Sequence, residues 1–231
     1  MTPVQNRSGP KPAPPSTFMI ERGPSDTVTR LILAHGAGAG ISSSFFDAIT
    51  ALLAERQIAL TLFEFAYMAG RRTGGSKRPP PRAEALVDEY RAAVAEVAKA
   101  HPDQTLVIGG KSLGGRVASL VADSLFSEGA IAGLVCLGYP FHPPGRPEQL
   151  RTEHLFKLRC PTLIVQGERD PFGNRAEVEA LKLSRKIAFA WMDDGDHDFG
   201  PRGRSGFTRK ANLAAAADAV AAFVAKRSEA R

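Results

Sequence analysis

Six short apolar runs, separated by stretches of helical periodicity, constrain this chain more than any other feature. The runs are Leu31 to Ala34, Ile58 to Phe63, Thr105 to Ile108, Leu134 to Leu137, Thr162 to Val165 and Ile187 to Trp191. Continuous apolar runs of this length suit strands buried on both faces. Val28 to Arg30 can extend the first run, and Thr17 to Ile20 can add an antiparallel edge strand. Between the runs, apolar residues recur at helical spacing. Phe45, Phe46, Ile49, Leu52 and Leu53 share one face, and so do Leu86, Val87, Tyr90, Val94 and Val97. Val117, Leu120, Val121 and Leu125 repeat the pattern, as do Val220, Phe223 and Val224. Asn174 followed by Glu177 has the spacing of a capping box. Strand and helix in such alternation predict an α/β fold: a mostly parallel sheet of about six to seven strands, flanked by helices on both faces.

With 231 residues, the chain suits a single domain over 17–231, preceded by a flexible Pro-rich tail over 1–16. That tail has five prolines in its first fifteen residues and no apolar segment of a secretory signal. No run of 18 apolar residues exists, so no membrane helix is expected. Cys136 and Cys160 lie in or beside apolar runs without a CxxC or Cys/His cluster. They read as buried free thiols, with no metal site and no disulfide framework, which fits the cytoplasm. The net charge of +6 permits acidic partners. No RNA- or DNA-binding motif accompanies it, so a nucleic-acid partner is not expected.

The third run leads into Gly109-Gly110-Lys111-Ser112-Leu113-Gly114-Gly115 and then a helical stretch. Gly-x-Ser-x-Gly between strand and helix is the nucleophile-elbow pattern. The tight turn strains the serine backbone, and glycines two residues to either side remove the clash. The helix N-terminus behind the serine favours developing negative charge. Ser112 is therefore the candidate nucleophile. A Walker phosphate loop is excluded, because the lysine precedes the serine and the GxxxxGK[ST] spacing is absent.

A serine hydroxyl needs a base, and the base an orienting carboxylate. In this arrangement the chain order is Ser, acid, His. The fifth run ends Gln166-Gly167-Glu168-Arg169-Asp170-Pro171, and Asp193-Asp194-Gly195-Asp196-His197-Asp198 follows the sixth. Asp170 and His197 thus fall just past successive strand ends, on the edge that carries Ser112. Glu168 is the rival acid. Among the other histidines, His142 precedes the acid, His35 suits bracing a loop, His101 lies at the far edge, and His154 sits in a polar loop. No cofactor is required by this chemistry.

The first run ends His35-Gly36-Ala37-Gly38-Ala39-Gly40. Its glycines let amides turn inward, and acyl transfer needs two such donors at the developing oxyanion. The expected pair is the backbone N–H of Ala37 and of Leu113, with Gly38 as fallback. A dinucleotide GxGxxG fails, since these glycines simply alternate. Two long loops leave strand ends and should border the site. Tyr139 to Arg159 is Pro-rich, can hold one helical turn, and is too short for a separate cap domain. Phe141, His142 and Phe156 are its expected substrate contacts, in an open site that favours small acyl groups. The other loop, 66–82, carries Arg71, Arg72, Lys77, Arg78 and Arg82 and no acidic residue. Those cations read either as solvated surface or as attraction for a substrate bearing carboxylate or phosphate.

These motifs resemble the α/β-hydrolase superfamily over about 17–225. Within it, LILAHGAGAG, GGKSLGGRVAS, CLGYPFHPPGRPEQLR and LIVQGERDPFG look like the KANL3/Tex30 family, close to the dienelactone hydrolases. The resemblance implies an α/β-hydrolase fold with a Ser112, Asp170, His197 triad. Dienelactone hydrolases usually carry cysteine as nucleophile, so their specific reaction does not transfer to a chain with Ser112. The expected activity is that of a serine esterase on a small-molecule ester. A non-catalytic interaction module on the same scaffold is the alternative.

Overall fold

The buried apolar runs assemble into one sheet in the computed structural model, which describes residues 18–75 and 79–228. The tail expected over 1–16 and residues Lys77 and Arg78 lie outside the described residues. The strands are β1 (Phe18–Arg22), β2 (Thr29–Ala34), β3 (Ala59–Glu64), β4 (Thr105–Lys111), β5 (Gly133–Leu137), β6 (Thr162–Gly167) and β7 (Ile187–Met192). Their order across the sheet is β1-β3-β2-β4-β5-β6-β7. β1 runs antiparallel to β3, and every other pairing is parallel. The strands from β2 to β6 are buried at every position, as unbroken apolar runs require.

The helices are α1 (Ser44–Glu55), α2 (Ala66–Arg72), α3 (Val87–Ala100), α4 (Leu113–Ser127), α5 (Arg175–Glu179) and α6 (Arg209–Ser228). Two apolar layers cover the sheet. One packs α3 and α4 through Tyr90, Val94, Val117 and Val121 against Ile32, Ile108 and Leu134. The other packs α1 and α6 through Phe46, Ile49, Leu213 and Val220 against Leu31, Val107 and Val165. Alternate residues of one strand thus feed opposite layers: Ile32 and Ile108 one side, Leu31 and Val107 the other. The parallel order brings the C-terminal ends of β2, β4, β6 and β7 to one edge, where ligands bind in open α/β sheets.

The segment after β3 departs from the expected loop. Ala66–Arg72 is helical. Its composition hides this, because the helix rests on distant partners. Glu89 on α3 accepts from the Ala66 N–H at 2.8 Å, satisfying one orphan donor of the first turn. Arg72 pairs with Glu64 through Nε–Oε2 at 2.7 Å and Nη2–Oε1 at 2.9 Å. Between Tyr139 and Arg159 the one expected turn is a short 3-10 segment, Glu153–Lys157, and no cap domain intervenes. Asn174 and Glu177 close the expected capping box at the start of α5.

Candidate active site

β4 carries the first elbow glycine, Gly110, and ends at Lys111; α4 begins at Leu113 and carries the second, Gly114. Ser112 between them has φ 50° and ψ −113°. An L-residue adopts that backbone at a cost, and tight surroundings must hold it there. Those surroundings leave no room for side chains. A Cβ on Gly110 would stand 2.6 Å from the Ala34 carbonyl oxygen, and one on Gly115 2.7 Å from the Gly110 oxygen. The Ser112 N–H is held by the Leu137 carbonyl at 3.0 Å.

Asp170 follows β6 and is fully buried. Its Oδ2 lies 2.8 Å from His197 Nδ1 and accepts from Gln166 Nε2 at 3.0 Å. Its Oδ1 accepts from the Phe172 N–H at 2.9 Å. The carboxylate is therefore fixed before it meets the ring. Glu168 points elsewhere: it accepts from the Asp194 N–H and from Arg175, which hold its carboxyl below the usual range. The geometry pairs His197 with Asp170 and not with Glu168. Phe172 packs on the imidazole, ring centroids 4.4 Å apart.

Ser112 and His197 line one open groove of about 390 Å³, with Gly36, Ala37, Phe45, Lys111, Phe172, Asp198 and Arg209 among its walls. Ala37 thus sits on the groove, and Leu113 opens α4, where backbone amides lack helical partners. The loop carrying Ala37 is braced from behind. His35 is buried; its Nε2 accepts from the Phe65 N–H at 3.1 Å, so Nδ1 carries the proton and donates to the Gly36 carbonyl at 2.6 Å. Burial lowers the pKa of this ring, which keeps it neutral. The Tyr67 hydroxyl reaches the Ala37 carbonyl at 3.2 Å, and burial pushes its pKa up to about 12, so it stays a donor. Tyr67 was not legible as part of the site, because it falls in the segment that reads as a loop.

The three expected substrate contacts are not brought to this groove. Phe141 is fully buried and packs on Tyr139 and against Gly173, where a Cβ would come within 2.7 Å of its ring. His142 is buried too. Its N–H donates to the Phe172 carbonyl at 3.1 Å, while Nε2 faces Glu177 at 3.2 Å and Nδ1 faces the Pro143 carbonyl at 2.8 Å. Both residues support the Asp170 loop from behind. Phe156 is exposed on the 3-10 turn and is not part of the groove wall. The walls come instead from α1, the Phe172 turn and the start of α6. Sequence spacing could flag Phe172, two residues after the acid, but gives no signal for Phe45 or Arg209.

The rim cations are also more engaged than their composition suggests. Arg72 is tied to buried Glu64, and Arg71 lies over the Tyr67 ring, 5.6 Å from its centroid. The cations on the groove itself are Lys111 and Arg209. Lys111 Nζ donates to the His197 carbonyl at 2.8 Å and sits 3.2 Å from Asp198 Oδ1. Among the described residues, no three His, Cys, Asp or Glu side chains gather to hold a metal ion. Another cavity, about 460 Å³, opens at the opposite edge between the ends of α3 and α4 and contains none of these residues. Among the described residues, no helix is long and apolar enough to cross a membrane.

Residues 27–225 match the model of a family described as Alpha/beta hydrolase domain. The chain belongs to that family. Solved structures share the fold. A dienelactone hydrolase from Anabaena variabilis is 18% identical, with 91% of each chain covered and a TM-score of 0.69. An alpha-beta serine hydrolase homologue from Coxiella burnetii is 19% identical, covering 85% of this chain and 89% of its own, at a TM-score of 0.64. A serine hydrolase without lid from Xanthomonas campestris is 18% identical, covering 79% and 81%, at a TM-score of 0.57.

Proposed function

We propose that this protein is a serine esterase that cleaves small esters through Ser112, His197 and Asp170. The observation that carries this reading is the 2.8 Å bond between His197 Nδ1 and buried Asp170, with the ring on the same groove as Ser112. Ser112 Oγ attacks the ester carbonyl as His197 Nε2 takes its proton. The oxyanion forms against the amides of Ala37 and Leu113. His197 then gives that proton to the leaving alcohol, and water, deprotonated by the same ring, releases the acid. The groove is open and uncapped, which favours short acyl groups and modest rates. Arg209 on its wall favours an ester whose acyl part carries a carboxylate. The narrower kinship with the KANL3/Tex30 family rests on the segment from Tyr139 to Gly145. Buried free thiols at Cys136 and Cys160 suit a reducing, cytoplasmic setting.

The test is hydrolysis of p-nitrophenyl acetate and butyrate. Ser112→Ala and His197→Ala should each lower kcat by about 10³-fold or more, and Asp170→Asn by a comparable factor. Glu168→Gln should leave turnover near wild type. Equal activity in Ser112→Ala and wild type would move the chain to a non-catalytic interaction module. Damage from Glu168→Gln with none from Asp170→Asn would reassign the acid.

A further inference from the structure

Lys111 is a buried cation with an uncommon partner. Its side chain is 8% exposed, and its ammonium reaches 86 residues along the chain to the backbone carbonyl of His197 at 2.8 Å. Asp198, the next residue, supplies the counter-charge at 3.2 Å. The Phe45 ring closes one side, 5.2 Å from Nζ. On another side lies Gly138, whose φ of +64° already demands glycine. A Cβ there would stand 3.1 Å from Lys111 Nζ and 3.3 Å from His197 Cε1. Gly138 thus leaves the space in which ammonium and imidazole sit side by side. Burial lowers the lysine's pKa, and Asp198 opposes that shift.

We infer that Lys111 is a positioning residue, which locks the His197 loop to the strand end that carries Ser112. The inference rests on the proposed triad. Lys111 precedes Ser112 directly, at the end of β4, and pairs in register with Leu137 of β5. Through its side chain His197 is held by Asp170 in the turn after β6, Nδ1 to Oδ2 at 2.8 Å. The loop backbone is tied on either side of it: the Arg169 N–H donates to the Gly195 carbonyl at 2.8 Å, and Asn212 Nδ2 to the Phe199 carbonyl at 2.9 Å. The bond from Lys111 reaches the carbonyl of His197 itself and ties that residue to the end of β4. Nucleophile and base then share one rigid frame, although they come from segments 85 positions apart by residue number, 197 against 112. An ammonium suits the task, because it offers several donors: one to the carbonyl, one to Asp198, and none needed by the reacting ester. A misplacement of about 1 Å between nucleophile and base can cost on the order of 10²-fold in rate.

The experiment compares wild type with Lys111→Met, which keeps the apolar stem and removes the donor, and with Asp198→Asn, which removes the counter-charge. Three readings are taken: kcat and KM on p-nitrophenyl butyrate, the rate of Ser112 labelling by a fluorophosphonate, and the low-field proton resonance of the His197 Nδ1–H···Asp170 bond. Thermal unfolding checks that each variant folds. Lys111→Met should lower kcat by about 10- to 100-fold with KM nearly unchanged, slow labelling in parallel, and broaden or shift the resonance. Asp198→Asn should lower kcat by a smaller factor in the same direction, and it serves if Lys111→Met does not fold. A folded variant with wild-type kcat, labelling and resonance would overturn the clamp while leaving the triad standing. A wild type that is not labelled at Ser112 would overturn both.

Discussion

At the residue scale, three side chains owe their state to burial. His35 is held neutral and single-tautomer because one nitrogen must accept while the other donates. Asp170 has its geometry set by Gln166 and Phe172 before His197 is considered. His154 shows the same physics away from the groove. Desolvation first, and the Arg116 cation second, lower its pKa from 6.5 to about 4, against weaker opposition from Asp123 and Glu84. The folded state therefore prefers the neutral ring, and between those values the unfolded chain binds more protons. The stability this contributes is present above about pH 6.5 and is lost as pH falls toward 4. His154→Gln should flatten that part of the stability profile. Thermal midpoints at pH 7.5 and 4.5 measure it: wild type should lose more than the variant, and equal losses would refute the assignment.

At the element scale, the strand–elbow–helix unit from β4 to α4 was the most legible part of the sequence. Gly110-x-Ser112-x-Gly114 has a local cause, and local causes leave local patterns. The strands were legible for a similar reason, since burial on both faces writes a continuous apolar run. Helix α2 was not, because Glu89 and the Glu64–Arg72 pair support it from elsewhere. Phe141 and His142 are expected on the groove but lie buried behind the Asp170 loop. A Pro-rich segment reads as surface, yet Gly173 opens a space that draws Phe141 inward. The clamp from Lys111 to His197 leaves no spacing signal at all. The elbow also predicts its own fragility. In Gly110→Ala the new Cβ meets the Ala34 carbonyl oxygen and the Gly114 carbonyl carbon, each at 2.6 Å. Backbone must shift, at a cost of about 1–3 kcal/mol. Urea unfolding should show a lower midpoint with unchanged slope, and fluorophosphonate labelling should slow. A midpoint equal to wild type would show that the turn has slack.

At the scale of the whole molecule, the parallel order collects β2, β4, β6 and β7 at one edge, so distant segments meet without any contact being special to the fold. Charge acts at this scale too. The net charge of +6, together with Arg209 on the groove, should speed the encounter with an anionic ester. Exposed charges are screened beyond about 8 Å at physiological ionic strength. Accordingly, kcat/KM for a short ester bearing a carboxylate should fall as salt rises, while a neutral ester of the same size should barely respond. Arg209→Ala should flatten the dependence more than Arg72→Ala, because Arg72 is committed to Glu64. Equal salt responses for both esters would leave these cations as ordinary surface.

The central claim is that Ser112 is the activated nucleophile. Treatment with a fluorophosphonate, followed by digestion and mass spectrometry, tests it most directly. The account predicts one adduct, on Ser112, formed at a rate that drops at least about 10²-fold in folded His197→Ala, since the serine then has no base. Folded wild-type protein that takes up no adduct, carries it on another residue, or reacts equally fast without His197 would contradict it.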